Sequence, residues 1–219
     1  MALLKSKVVP EDAVVLDEVE ATTYVWELVS DWKSPSDVWA LQYGPMVLGG
    51  INALCGAVIN NHYRFKLRVG TYGYFASVLP ITVMPGLMTA MLHRQLISTD
   101  LLLMKREGCP ICHEMRSAAV QLTLGIAYPL VLGQTAALMM ANRYATYRIP
   151  DLREGPKVMF KFLRKLTKPF TGTLTFMAAT QVVASSVITY FEMKNHLTLQ
   201  RKIMDIEAKL EAKQSGIKD

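Results

Sequence analysis

Four long stretches of this 219-residue chain contain no Asp, Glu, Lys or Arg. They cover residues 38–63, 69–92, 117–142 and 169–191. Each exceeds the roughly 20 residues that an α-helix, rising ~1.5 Å per residue, needs to cross a hydrocarbon core about 30 Å thick. A soluble helical bundle would instead have amphipathic helices with a charged face. The stretches therefore predict an integral membrane protein that crosses the bilayer about four times.

The apolar runs indicate helices rather than the strands of a barrel. A membrane strand alternates in polarity over about ten residues, whereas these runs are apolar on all sides. The whole chain is 51% hydrophobic, with a mean hydropathy of +0.22. We predict an all-α, polytopic membrane protein with short helical extensions at both ends. Its parts are an acidic arm with a short helix (1–40), a four-helix membrane domain (41–191; spans about 44–63, 69–92, 117–142 and 169–191) and a charged C-terminal helix (192–219).

Small residues in the first and third spans are spaced to let helices approach closely. Because lipid gives no hydrophobic reward for helix contact, association depends on such approach. Prolines should bend the second span at Pro80 and Pro85 and the third at Pro129, either for packing or to make a flexible, partner-accommodating helix. The predicted helix-packing face consists of Gly49, Ala53, Gly56, Ala57, Gly125 and Gly133.

The polar residues noted inside the spans are uncharged, chiefly Asn52, Gln121, Gln134 and Gln181. Transporters and proton pumps usually place an ionisable side chain near the midplane of the membrane. On this reading the spans contain no ionisable residue. We therefore predict a protein that holds helices rather than one that moves ions. A transporter or channel subunit, suggested by the kinked second and third spans, is the alternative.

Charge in the connections predicts the orientation. Residues 64–68 have three basic and no acidic residues, and residues 143–168 have eight basic against two acidic, for net charges of +3 and +6. Residues 1–37 have three Lys against eight acids, a net charge of −5. The middle loop (93–116) and the tail (192–219) each have a net charge of +1. By the positive-inside rule, the two basic connections lie inside and both termini and the middle loop lie outside.

The larger basic connection contains an amphipathic pattern after Pro156. Val158, Phe162 and Leu166 fall on one helical face, opposite the basic residues. This predicts either an interfacial helix on anionic headgroups, such as those of cardiolipin, or an ordinary solvated loop. Because the positive charge borders the spans, it implies no nucleic-acid partner. The predicted lipid-facing residues are Lys157, Lys161, Arg164, Lys165 and Lys168.

Cys109 and Cys112 form a CxxC in the middle loop. A zinc site needs two further ligands, and only His93 and His113 are near. A thioredoxin-type site needs a helix N-terminus on a βαβ fold, which we do not expect in a membrane loop. The pair is therefore a disulfide on an oxidising side or two free thiols otherwise, and the outside placement favours the disulfide.

Recognised catalytic patterns do not occur in the sequence. Paired carboxylates, HExxH, a Gly-rich phosphate loop and a nucleophile–His arrangement are all absent, so we predict no enzymatic activity, metal or cofactor. A membrane-bound redox enzyme that uses the CxxC stays as a third hypothesis.

The two ends of the chain are predicted to be helical outside the membrane. The acidic N-terminus does not look like a targeting segment, so sorting is expected to be internal. The tail spaces Leu199, Ile203, Ile206 and Leu210 by four, three and four residues amid alternating charge. This seam either continues the fourth helix into water or binds a partner.

Several runs together resemble the transmembrane protein 126 family. They are GGINALCG at 49–56, the CxxC followed by Arg116 and Ser117, GIAYP at 125–129 and ANRY at 141–144, which looks like that family's Ala-Arg-Tyr. The resemblance covers about residues 44–150. It implies a mitochondrial inner-membrane protein without a cofactor that acts as an assembly factor for respiratory complex I. Such a protein holds partly built membrane-arm modules together with other assembly factors.

Overall fold

The regular elements are all helical over residues 16–104, 109–150 and 156–215, which are the residues that the computed structural model describes. The prediction of an all-α membrane fold is confirmed over these ranges. The first 15 residues of the predicted acidic arm (1–40) and the last four residues of the tail lie outside the described residues.

Helix boundaries follow local sequence signals. The α2 helix begins with a proline in its first turn, where the missing N–H costs nothing, and ends with Arg64 and Lys66, which complement the helix dipole. The elements in chain order are α1 (Glu18–Ser30), α2 (Pro35–Lys66), α3 (Tyr74–Val78), α4 (Met84–His93), α5 (Thr99–Leu102), α6 (Pro110–Leu122), α7 (Tyr128–Arg143), α8 (Pro156–Thr167) and α9 (Thr171–Ser215).

Short π-helical turns join α3, α4 and α5 into one helix, and α6 and α7 into another. They are Leu79–Val83, Arg94–Ser98 and Thr123–Ala127. Pro85 and Pro129 each follow one of these turns closely. A proline has no N–H for the carbonyl four residues earlier, and the wider π-turn accommodates that defect. The bends expected from the prolines therefore occur as π-turns within continuous helices.

Three helices are long and apolar enough to cross a membrane: Tyr74–Leu102, Pro110–Arg143 and Lys157–Leu210. The 32-residue α2 lies among them and contacts α4, α7 and α9. The α2 helix contains the polar residues Asn52, Asn60 and Arg64, which are buried in the bundle. It is therefore less apolar than the three helices around it. The three apolar helices together with α2 give a polytopic membrane bundle with about four crossings.

Each end of the bundle has its own apolar cluster. One cluster joins α2 to Val69, to Ala141 of α7, and to Leu166 and Phe170 at the start of the fourth span. The other cluster joins Val25 of α1 to Leu102 of α5 and Leu199 of α9. The N-terminal helix, the middle loop and the far end of α9 thus share one end, and the two basic connections share the other.

Candidate functional site

Glycines bring the backbones of α2 and α4 into close contact. A Cβ atom added to Gly49 would lie 2.5 Å from the backbone oxygen of Gly86, and one added to Gly86 would lie 2.9 Å from that of Gly49. Gly56 approaches the backbone oxygen of Ile81 in the same manner. Only glycine permits this contact between backbones.

The other predicted packing residues also face inward. Gly125 lies directly against the side-chain amides of Asn52 and Gln181, while Gly133 faces Ile59 and Tyr63. Ala53 packs near Gly86, and Ala57 is half-buried. The structure thus uses this face for contacts within the chain. Because these small residues already meet helices of the same chain, they give no separate argument for contacts with other proteins.

Buried amides form a polar seam at the middle of the bundle. The Asn52 amide donates to the Thr89 hydroxyl at 2.6 Å, and the Gln181 amide donates to the Cys55 sulfur at 3.2 Å. Gln121 donates to the Leu48 carbonyl at 3.5 Å. Because a buried polar group without a partner costs free energy, these bonds help fix the rotation of each helix.

A fully buried ionisable cluster lies at the end of the bundle that carries α1. The Nε2 atom of His93 lies 3.1 Å from both carboxylate oxygens of Glu192, and the Ser98 hydroxyl donates to that carboxylate at 3.1 Å. The Ser117 hydroxyl lies 3.3 Å from Nδ1 of His93. A Cβ on Gly44 would lie 3.1 Å from the same carboxylate, so α2 covers the cluster.

This cluster corrects the prediction that the membrane helices hold no ionisable residue. His93 and Glu192 follow the uncharged stretches 69–92 and 169–191 by one residue, and both helices continue beyond them. Both side chains have no exposed surface. The available signal was a His and a Glu that each border an apolar run.

Arg64 is a second charged group that the sequence analysis assigned to a basic connection but that the structure buries, with 4% exposure. Its guanidinium donates to the Ser77 hydroxyl at 2.9 Å and to the carbonyls of Gly70 and Tyr72 at 2.6 and 2.7 Å. It also lies 5.3 Å from the ring centre of Tyr74. These contacts fix the turn between α2 and α3.

The end of the bundle that carries α1 is closed by contacts outside the predicted spans. Trp26 donates to the Thr99 hydroxyl at 3.1 Å, and Arg94 stacks 4.0 Å from the Trp26 ring centre. The Lys202 ammonium on α9 donates a hydrogen bond to the carboxylate of Asp37 and forms an ion pair with it. This hydrogen bond, more than any other influence, lowers the pKa of the Asp37 carboxyl below its usual range.

We call these closing contacts of α1, α5 and α9 the cap. The two halves of the predicted C-terminal seam have different surroundings on either side of it. Leu199 is buried against α1 and α5, and Ile203 packs beside it. Ile206 and Leu210 are half exposed, at 50% and 56%. The first half of the seam is therefore used within the chain, and the second half is presented outward.

The structure joins Cys109 and Cys112 in a disulfide, and both residues are exposed. The pair stands at the N-terminus of α6, but the described residues around it form helices and no βαβ fold of the kind that a thioredoxin-type site needs. His93, considered above as a zinc ligand, faces Glu192 instead. Within residues 16–104, 109–150 and 156–215, no group of three or more His, Cys, Asp or Glu could hold a metal ion.

The amphipathic segment is the helix α8. Its five predicted lipid-facing residues are all exposed, while Leu166 is buried and Phe162 packs beside it against the core. The basic residues thus lie opposite Phe162 and Leu166, which pack against the bundle, whereas Val158 of the predicted apolar face is 39% exposed.

A family model described as transmembrane protein 126 matches residues 31–209. The chain is 39% identical to "Transmembrane protein 126" of Drosophila melanogaster over 213 residues, which is 96% of each chain. It is 29% identical to "Transmembrane protein 126A" of Mus musculus over 153 residues, 70% of this chain and 75% of the relative. The Pongo abelii protein of the same name is 31% identical over 110 residues, 50% and 55% of the two chains. These names state no enzymatic activity, and no solved structure matches the chain.

Proposed function

Because the chain belongs to the transmembrane protein 126 family, we propose that it is a non-catalytic assembly factor of the mitochondrial inner membrane. In this proposal it binds partly assembled modules of the membrane arm of respiratory complex I. Its partners are membrane-arm subunits and other assembly factors. The match to the Drosophila protein spans 96% of the chain, so the proposal concerns the spans and both helical ends together.

The way the bundle divides its residues supports a scaffold. Small and polar residues make their contacts inside the bundle, as at Gly49, Asn52 and Glu192. Large apolar side chains cover the outside, and Leu54 and Leu87 are 70% and 64% exposed. Such a surface suits lateral contact with lipid and with other membrane helices, which requires no transfer of charge through the centre.

The far end of α9 gives the scaffold a contact surface outside the membrane. Met204, Ile206 and Leu210 are each about half exposed beyond the cap. Apolar side chains on an otherwise charged helix are typical of a helix that packs on a partner. We propose that this segment contacts an assembly partner.

The proposed orientation follows from charge. The two basic connections would face the matrix, and both termini and the disulfide would face the intermembrane space. The grouping of α1, the disulfide loop and the end of α9 at one end of the bundle is consistent with this arrangement. Labelling of single engineered cysteines in mitoplasts tests it, because residues at opposite ends must react from opposite sides.

The decisive test is native-gel complexome profiling of mitochondria that lack the chain, with and without its re-expression. Loss should cause membrane-arm intermediates of complex I to accumulate, and the re-expressed chain should migrate with them. Ile206→Ser with Leu210→Ser should rescue poorly, whereas Lys209→Ser, an exposed change between them, should rescue fully. Unaltered complex I profiles without comigration would refute the assembly function.

A transporter or channel subunit is the second candidate, and the buried His93–Glu192 pair favours it. Ionisable side chains inside a membrane protein often mark a substrate or proton path. In this case purified protein in liposomes should support an ion or proton flux that His93→Ala abolishes. Liposomes that stay impermeable to protons and small ions would remove this candidate.

A further inference from the structure

Three separate segments bring exposed Lys and Arg to the end of the bundle that carries α8. The Thr146 hydroxyl donates to the Leu67 carbonyl at 3.0 Å, and the rings of Tyr147 and Phe162 lie 6.1 Å apart, so the segments adjoin one another. We call this surface the basic end. Its exposed cations are Lys66, Arg68, Arg143, Arg148, Lys157, Lys161, Arg164, Lys165 and Lys168.

The basic end carries a large excess of positive charge. Every Asp and Glu of the described residues lies within residues 17–37, within residues 100–114 or in α9 from Glu192 onward. Asp151 and Glu154, outside the described residues, leave the two connections at net charges of +3 and +6. Cations held this close repel one another, and an anionic surface would offset that repulsion.

The helix connections place the basic end next to the start of the fourth span. The α8 helix passes through the turn Lys168–Phe170 directly into the apolar helix α9. Phe170 is buried in the same cluster as Met177 of the fourth span, so α8 lies at the mouth of that span. Its basic side chains are exposed beside the start of the fourth span, where the headgroups of a bilayer crossed by that span would lie.

Exposed aromatic residues accompany these cations. Phe65 and Phe160 are 82% and 70% exposed, and the rings of Tyr72 and Tyr144 stack at 4.6 Å. Aromatic side chains concentrate at the boundary between hydrocarbon and headgroups. A basic surface flanked by such rings fits a lipid interface better than it fits an acidic soluble protein, which would leave those rings in water.

We propose that the basic end binds the phosphate headgroups of anionic phospholipids in the leaflet that it borders. The Lys and Arg side chains contact the phosphates, and the flanking rings enter the boundary of the acyl chains. This inference is independent of the assembly function, because it rests on charge and position alone.

The test uses the full-length chain purified in detergent, with fluorescent cardiolipin and fluorescent phosphatidylcholine as probes. One variant, called the α8 variant, replaces with Gln the four basic residues of α8 and Lys168, which begins the turn after it. The control replaces five exposed basic residues on the other side of the bundle, so both variants lose the same net charge. The two sets are Lys157, Lys161, Arg164, Lys165 and Lys168, and Lys33, Lys194, Arg201, Lys209 and Lys213.

Wild type and control should bind cardiolipin at least about tenfold more tightly than phosphatidylcholine, and the α8 variant should lose most of this preference. Each cation near an anionic surface contributes about fivefold, so a tenfold effect is a lower bound for five cations. Equal melting temperatures of the three proteins without added lipid would show that all are folded. The proposal is overturned if the α8 variant keeps the preference, if the control loses it equally, or if wild type binds polyglutamate but not cardiolipin.

Discussion

A single methyl group at Gly49 should push α2 and α4 apart. In Gly49→Ala the new Cβ would lie 2.5 Å from the backbone oxygen of Gly86 and 3.2 Å from the Cβ of Ala90. Since Cβ atoms do not approach other heavy atoms closer than 3.0 Å, the two backbones must separate by at least about 0.5 Å. A backbone oxygen cannot rotate away as a flexible side chain would.

The neighbouring Gly50 supplies a matched control, because a Cβ there would meet nothing within 4 Å. Both substitutions gain about 1 kcal/mol from the better helix propensity of alanine. Only Gly49→Ala pays for overpacking, which costs about 1–3 kcal/mol in a tightly packed interior. The propensity gain cancels in the comparison, so Gly49→Ala should be about 1–3 kcal/mol less stable than Gly50→Ala.

Thermal unfolding of the purified proteins in detergent, followed by circular dichroism, measures this difference. Gly50→Ala should melt at or above the temperature of wild type, and Gly49→Ala should melt clearly below Gly50→Ala. Equal melting temperatures would mean that α2 and α4 do not meet at glycine, and the reasoning about this contact would be refuted.

Three further predictions concern other parts of the bundle. Glu192→Leu should lower the free energy of unfolding by about 1–3 kcal/mol because it leaves the buried His93 ring without its carboxylate. Adding His93→Leu should recover part of this loss in thermal unfolding, and a double variant weaker than the single would contradict it. A lowered pKa gives Asp37 a stabilising role that is present above the unfolded-state pKa of about 4 and is lost as pH falls through the folded value. The protection of backbone amides around Lys202, corrected for the intrinsic pH dependence of hydrogen exchange, should therefore fall in acid in wild type and change less with pH in Asp37→Asn. Replacing Cys109 and Cys112 with Ser should leave complex I assembly intact, and loss of assembly in that variant would support the redox hypothesis instead.

The membrane fold could be predicted because hydrocarbon imposes a simple rule on the sequence. Stretches such as 69–92 and 117–142 had to be long and uncharged, and the structure has the helices Tyr74–Leu102 and Pro110–Arg143 there. The sequence did not predict that the helices would contain π-turns. A proline such as Pro85 signals a defect in the helix, but neighbouring packing decides between a kink, a break and a π-turn.

The contacts of the candidate site were harder to predict, because they depend on pairs far apart in the sequence. Small residues at regular spacing indicate a close contact but not whether the facing helix belongs to the same chain, and Gly49 meets Gly86 of this chain. Counting charge-free stretches also ended the second and fourth spans one residue before His93 and Glu192. Charge counting treats a charged residue as a boundary, although a charge with a buried partner can continue the helix interior.

The buried pair changes the argument for a scaffold rather than removing it. A lack of ionisable groups in the spans would oppose ion transport, but His93 and Glu192 are buried within the membrane helices. The surroundings of the pair supply a different reason: Ser98 and Ser117 bond its two members, and Gly44 covers the carboxylate with the backbone of α2. A carboxylate that carries an ion must exchange its partners during each cycle, which would require these four helical segments to move apart. Where backbones meet as closely as at Gly49, such movement is costly. The pair is therefore best understood as a bonded junction that fixes how the helices meet, which is what a scaffold needs in order to present constant outer faces.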